Sequence, residues 1–253
     1  MKQSQRVSST TRAASLGVSI LAGGRWLVRE LPRRFVVAFR NRRTAIVFVT
    51  IAMVAFTSLA VFAATSEATL LRFDRAVQGR LLDSRTEWLN HAMIWLTFLG
   101  TRYVIAVAAL GLLIWSRVNR KHQTFVMVIV AAAILNPVLE IGLKELVDRV
   151  RPAIDQLLPG NGPSFPSGHV LAAVGFYGLF PFLTWEATHK TWVRFVALLG
   201  SLAVVAVVTV SRPYLDVHWA TDAIAGALLG MVLVVASYQV YLRVAEGKQA
   251  SAV

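Results

Sequence analysis

Two histidines, three cations and one carboxylate stand out from a chain that otherwise offers little reactive chemistry. In "SRPYLDVHWATD", residues 211–222, His218 and Asp222 are four apart, so on a helix they stack on one face and can hydrogen-bond. A carboxylate on one imidazole nitrogen fixes the tautomer and leaves the other nitrogen free as base or nucleophile. In "KELVDRVRP", residues 144–152, Lys144 and Arg151 are two helical turns apart and project from nearly the same face. Pro152 disfavours the α region for the residue before it, so that helix should end there. In "PSGH", residues 166–169, Gly168 lets the backbone approach a ligand closely. His169 opens an apolar run, where the free N–H groups of a helix start can hold an anion. Arg212 adds a third cation.

Singly, the three clusters have ordinary readings: a basic helix flank, a turn with Ser167 as N-cap, and a salt bridge at a helix start. Together they describe a phosphate pocket. Cations, a Ser hydroxyl and backbone N–H groups suit a phosphoryl dianion, whose charge is spread over several oxygens. Two histidines supply what its cleavage needs, a nucleophile and a proton donor for the leaving oxygen.

The elements that must position these residues are membrane spans. Of 253 residues 56% are hydrophobic and 15% charged, more apolar than a soluble domain of this length. Six apolar windows, at 44–65, 93–115, 124–143, 170–185, 195–210 and 223–242, can cross a hydrocarbon core about 30 Å thick. The fold class expected is therefore all-α, a six-span transmembrane bundle. If both ends of the chain and the stretches near 116–123 and 186–194 share one side, that side holds 17 of the 26 Lys and Arg and 3 of the 13 acids. The positive-inside rule places it in the cytoplasm of an integral plasma (inner) membrane protein, both termini inside, with all three polar clusters at the extracytoplasmic rim.

The net charge of +13 fits membrane flanks and anionic headgroups, so no nucleic-acid partner is expected. With no cysteine, thiol nucleophiles, disulfides and Cys-ligated zinc are excluded. Residues 1–43 form a basic cytoplasmic segment, either an amphipathic helix broken at Pro32 or a disordered tail. A phosphatase domain over 44–243 and a cytoplasmic tail over 244–253 follow. The stretch 70–89 reads as an interfacial helix on the outer face, with Leu and Val at helical spacing. His91, His122 and His189 read as solvated loop histidines.

The three clusters resemble the signature of the type 2 phosphatidic acid phosphatase superfamily, a family related to the vanadium haloperoxidases. That signature is Lys, six residues, then Arg-Pro; Pro-Ser-Gly-His; and Ser-Arg, five residues, His, three residues, Asp. Here it is Lys144 with Arg151-Pro152, then 166–169, then Ser211-Arg212 with His218 and Asp222. The resemblance implies that His218 takes the phosphoryl group as a phosphohistidine, with Asp222 orienting it. It implies that His169 protonates the leaving group and then activates water. Lys144, Arg151, Ser167, Gly168 and Arg212 would cradle the phosphate. No metal or other cofactor is implied, and no Asp and Glu cluster here has a spacing suited to magnesium.

The activity expected is hydrolysis of a lipid phosphate mono- or diphosphate ester, with phosphatidic acid, phosphatidylglycerophosphate, lipid A phosphate and polyprenyl (undecaprenyl) diphosphate as candidate substrates. Two alternatives stay open. The phosphohistidine could pass its group to an acceptor alcohol, as in a phosphotransferase, or the pocket could serve an anion transporter. The oligomeric state is not legible.

Overall fold

The computed structural model describes residues 26–250 apart from 66 and 153; 1–25 and 251–253, parts of the basic segment and of the tail, lie outside the described residues. Among the described residues the chain is helical without strands. Helix α1 covers 26–40, and Arg42–Thr65 forms α2. Two shorter helices follow, α3 (Glu67–Asp83) and α4 (Glu87–Thr97), the latter running into a 3-10 turn at Phe98–Gly100. The body is completed by α5 (Arg102–Val118), α6 (Gln123–Val147), α7 (Gly168–Tyr177), α8 (Phe180–Ala187), α9 (Thr191–Tyr214) and α10 (Ala220–Ala250).

Five segments are long and apolar enough to cross a bilayer: α2, α6 with the turn before it, α7 with α8, α9 and α10. The pair Glu87–Gly100 and Arg102–Val118, bent by 49°, makes a sixth if it crosses as one broken span. The bend lies where the 3-10 turn ends and Thr101, extended, caps α5 by accepting the Val104 N–H at 3.4 Å. The expected straight span at 93–115 is thus a bent pair; the apolar run passes through the bend, so composition alone does not reveal it. The fifth span, expected as the 16-residue window 195–210, is a 24-residue helix. Its last turn carries Ser211, Arg212 and Pro213, which end the apolar window but not the hydrogen bonding.

Helix α7 is the axis of the bundle. Seven of its ten residues are buried, against neighbours that include α5, α6, α9 and α10. Gly226 and Gly230, one turn apart on α10, permit that contact: a Cβ on Gly226 would press on the Ser167 carbonyl, and one on Gly230 on Val174. The start of α7 is thereby held against the start of α10, and both belong to the polar end of the molecule.

At the opposite end α1 runs unbroken through Pro32, where a break was expected. Its Phe35 and Phe39 pack on Phe182 of α8 at 5.4 and 6.2 Å between ring centres. Gln239 of α10 donates to the Phe39 carbonyl at 2.7 Å.

Candidate active site

Helix α6 stops because Asp148 adopts a left-handed conformation (φ 46°) and returns its N–H to the Lys144 carbonyl at 3.0 Å. The chain from there to Ser167 crosses the polar end without regular structure. It is tied down largely by side chains. Asp216 accepts the N–H of Ile154 (2.8 Å) and Asp155 (2.6 Å), and is itself fixed by the Gln78 amide at 2.6 Å. The Arg151 guanidinium gathers the carbonyls of Asn161, Gly162 and Pro163 at 2.8–3.1 Å.

Those ties bring the Ser164 carbonyl to 2.8 Å from Nδ1 of His218. A carbonyl only accepts, so Nδ1 carries the proton. On the other side Arg151 Nη1, which only donates, faces Nε2 at 3.1 Å, so Nε2 holds the lone pair. Burial, reinforced by the charges of Arg212, Arg151 and Lys144, holds the imidazole well below its usual range, although the Ser164 hydrogen bond pulls the other way. His218 is a neutral imidazole with a defined free nitrogen, the state a nucleophile requires.

Asp222 does less of this positioning than its spacing suggests. Its Oδ2 lies 3.6 Å from His218 Nδ1, within ion-pair range but beyond a hydrogen bond. The reason is local: α10 begins at Ala220, so His218 precedes the helix and the expected stack on one helical face does not form. Asp222 instead accepts the Trp219 N–H at 2.9 Å, the N3 half of a capping box at the start of α10. Its other oxygen takes Nη1 of Arg149 at 2.6 Å.

Arg149 lies at the centre of a buried charge network. Besides Asp222, it donates to Thr221 (2.7 Å) and to Asp74 of α3 (2.7 Å), and the side chains of both its ion-pair partners are fully buried. Asp74 also accepts the Thr221 N–H and hydroxyl at 2.9 and 2.7 Å. Helix α3, expected as an interfacial helix on the outer face, is bolted through Asp74 and Gln78 to the chain on either side of His218.

A cavity of about 750 Å³ opens at this end between α5, α6, α7, the end of α9 and the loops that carry Asn161 and His218. Lys144, Arg151, Gly168, His169, Arg212 and His218 all line its polar part, so six of the eight expected residues meet in one space. Arg212 is anchored by Nη1 on the Thr97 hydroxyl at 2.7 Å, and its buried Nε finds no acceptor among the described residues. Asp222 sits behind His218, outside the lining. The Ser167 hydroxyl is buried, has no hydrogen-bond partner among the described residues and does not line the cavity; its N–H donates to the Asp222 carbonyl at 3.1 Å. A Cβ on Gly168 would displace the Glu140 carboxylate, the far end of a flexible side chain, from its place 2.7 Å from Lys144.

Below Glu140 the cavity turns apolar, running along α5 and α6 past Ile105, Leu113, Val130 and Ile134. Several of its walls, Tyr103, Leu110 and Ile134 among them, are exposed on the lateral surface of the bundle.

Sequence reasoning missed Asp74, Gln78, Thr97 and Arg149. Asp74 and Gln78 left a readable trace, since they share a helical face with Leu70 and Leu81, the stripe of an amphipathic helix that should be apolar. Arg149 left none: one more cation in a basic run looks solvated.

Comparison with known proteins agrees with this geometry. Residues 124–245, which hold α6 to α10 and every signature position, match the model of the PAP2 superfamily. Phosphatidylglycerophosphatase B of Bacillus subtilis is 32% identical over 169 residues, covering 63% of this chain and 79% of that protein. An undecaprenyl-diphosphatase of Sulfolobus acidocaldarius is 32% identical over 156 residues, 60% of this chain and 70% of that protein. The crystal structure of a transmembrane PAP2-type phosphatidylglycerolphosphate phosphatase from Bacillus subtilis superposes with a TM-score of 0.64 at 26% identity, over 77% of this chain and 96% of that one. That of Aquifex aeolicus LpxE does so with a TM-score of 0.51 at 26% identity, over 68% and 95%. With six of its eight expected site residues gathered in one cavity at one end of an apolar helical bundle, the chain belongs to the PAP2 superfamily, in its membrane lipid-phosphatase branch.

Proposed function

We propose that this protein hydrolyses a lipid phosphate ester at the membrane interface through a phosphohistidine on His218, without a metal ion. Nε2 of His218 attacks phosphorus and the bond to the leaving oxygen breaks, while His169 delivers a proton to that oxygen. Water then attacks the phosphohistidine as His169 takes the proton back, releasing inorganic phosphate and restoring both rings. Lys144, Arg151 and Arg212 neutralise the phosphoryl oxygens, and the start of α7 at Ser167 and Gly168 adds the positive end of a helix.

The observation that carries the lipid reading is the continuity of the cavity. Its cationic end passes without a wall into an apolar groove whose sides reach the lateral surface of the bundle. A headgroup can enter the cradle while its tails stay in hydrocarbon. The relatives act on phosphatidylglycerophosphate and undecaprenyl diphosphate by name, and both are anionic heads on long apolar tails. The test is phosphate release, with chelator present, from a long-chain phosphate ester and from a water-soluble ester matched in leaving group. The lipid should be preferred by about 100-fold or more in kcat/KM, since several buried CH₂ groups each contribute about 0.8 kcal/mol. Equal rates on the two esters would remove the lipid preference, and loss of activity with chelator would remove the metal-free mechanism.

We further propose that the active-site end faces away from the cytoplasm and both chain ends face it, on the strength of the Lys and Arg bias of the loops. The absence of cysteine makes the test clean. A single cysteine at exposed Asn161 should react with an impermeant maleimide in intact cells, whereas one at Lys121 should react only after lysis. The reverse pattern would invert the topology.

A further inference from the structure

Glu140 is the one acidic residue among the residues lining the cavity, and the mechanism above has no use for it. It lies on α6 one turn before Lys144, on the side away from the helix end, with its carboxylate 2.7 Å from Lys144 Nζ and packed against Gly168. On the same helix Pro137, Ile134 and Val130 continue the lining into the apolar groove. Glu140 therefore stands at the neck between the cationic cradle and the channel for the tail.

We propose that Glu140 is a specificity-determining residue that selects lipid monophosphates over lipid diphosphates. The inference rests on the phosphatase reading given above. A substrate with its terminal phosphoryl group at His218 and its tail in the groove must carry its next group past Glu140. In a monophosphate ester that group is the bridging oxygen and neutral carbon of an alcohol, and a hydroxyl there can donate to the carboxylate. In a diphosphate it is a second phosphoryl, whose negative charge meets the Glu140 carboxylate in a half-buried neck where screening is weak. Lys144 does not cancel this, because the phosphoryl group in the cradle draws on the same ammonium.

The test uses the full-length protein in detergent and two substrates with one tail, farnesyl phosphate and farnesyl diphosphate. The wild type should favour the monophosphate in kcat/KM. Glu140→Gln, which keeps the shape and removes the charge, should move the monophosphate-to-diphosphate ratio about tenfold or more towards the diphosphate. An unmoved ratio, or a wild type that prefers the diphosphate tenfold, overturns the proposal. A second readout is thermal stabilisation of wild type and variant by inorganic phosphate and by pyrophosphate. The variant should gain more with pyrophosphate than with phosphate, and equal gains overturn the proposal even if turnover of the variant is too low to compare. A wild type inactive on both lipids would sink the phosphatase reading, and the binding comparison would still decide the role of Glu140.

Discussion

His218→Ala should lower phosphate release by on the order of 10⁴-fold or more while leaving the protein folded, because it removes the nitrogen that attacks phosphorus in the proposed reaction. The free Nε2 beside Arg151, with Nδ1 committed to the Ser164 carbonyl, is the basis of that expectation. A second variant separates nucleophile from proton donor. With p-nitrophenyl phosphate the leaving group needs little protonation, so His169→Ala should still form the phosphoenzyme but hydrolyse it slowly. Phosphate should then be found on the protein in His169→Ala and be absent in His218→Ala. If His218→Ala kept more than about one hundredth of wild-type turnover, or carried phosphate itself, His218 would not be the nucleophile.

The second large effect should come from a residue that touches no substrate. Arg149→Met would leave the carboxylates of Asp74 and Asp222 buried without their shared cation. Removing one member of such a network costs about 3–5 kcal/mol, far more than the network adds relative to an apolar replacement of the whole. Expected are a clear fall in the melting temperature in detergent and a loss of turnover, as the helix cap at Asp222 and the loop of His218 loosen together. The paired variant Asp74→Asn with Arg149→Met should cost less than the two changes summed, since they share one interaction. Strict additivity, or wild-type stability in Arg149→Met, would show the network to be idle.

The contrast between these two residues shows what sequence could disclose. Lys144, Arg151, Gly168, His169, Arg212 and His218 were legible because they line one cavity and so must be the right chemical types at the right spacing. The partners that hold them were not. The Ser164 carbonyl that fixes His218 is backbone, which any residue would supply, and Asp222 looked like that partner only because four residues suggest a shared helix face. The helix starts two residues too late for that. Arg149 and Asp74 meet across 75 positions, and nothing in either local pattern points to the other. The spans were legible as apolar runs, but the 49° bend after Gly100 lies inside one of them.

The Asp74–Arg149–Asp222 network also sets an order of events in biosynthesis. Its parts come from α3, from the chain just after α6, and from the first turn of α10. A chain still emerging from the ribosome can own Asp74 and Arg149 and yet lack the carboxylate that joins them to the His218 loop. The loop of His218 can therefore be fixed to α3 through the network only after the first turn of α10 has been made.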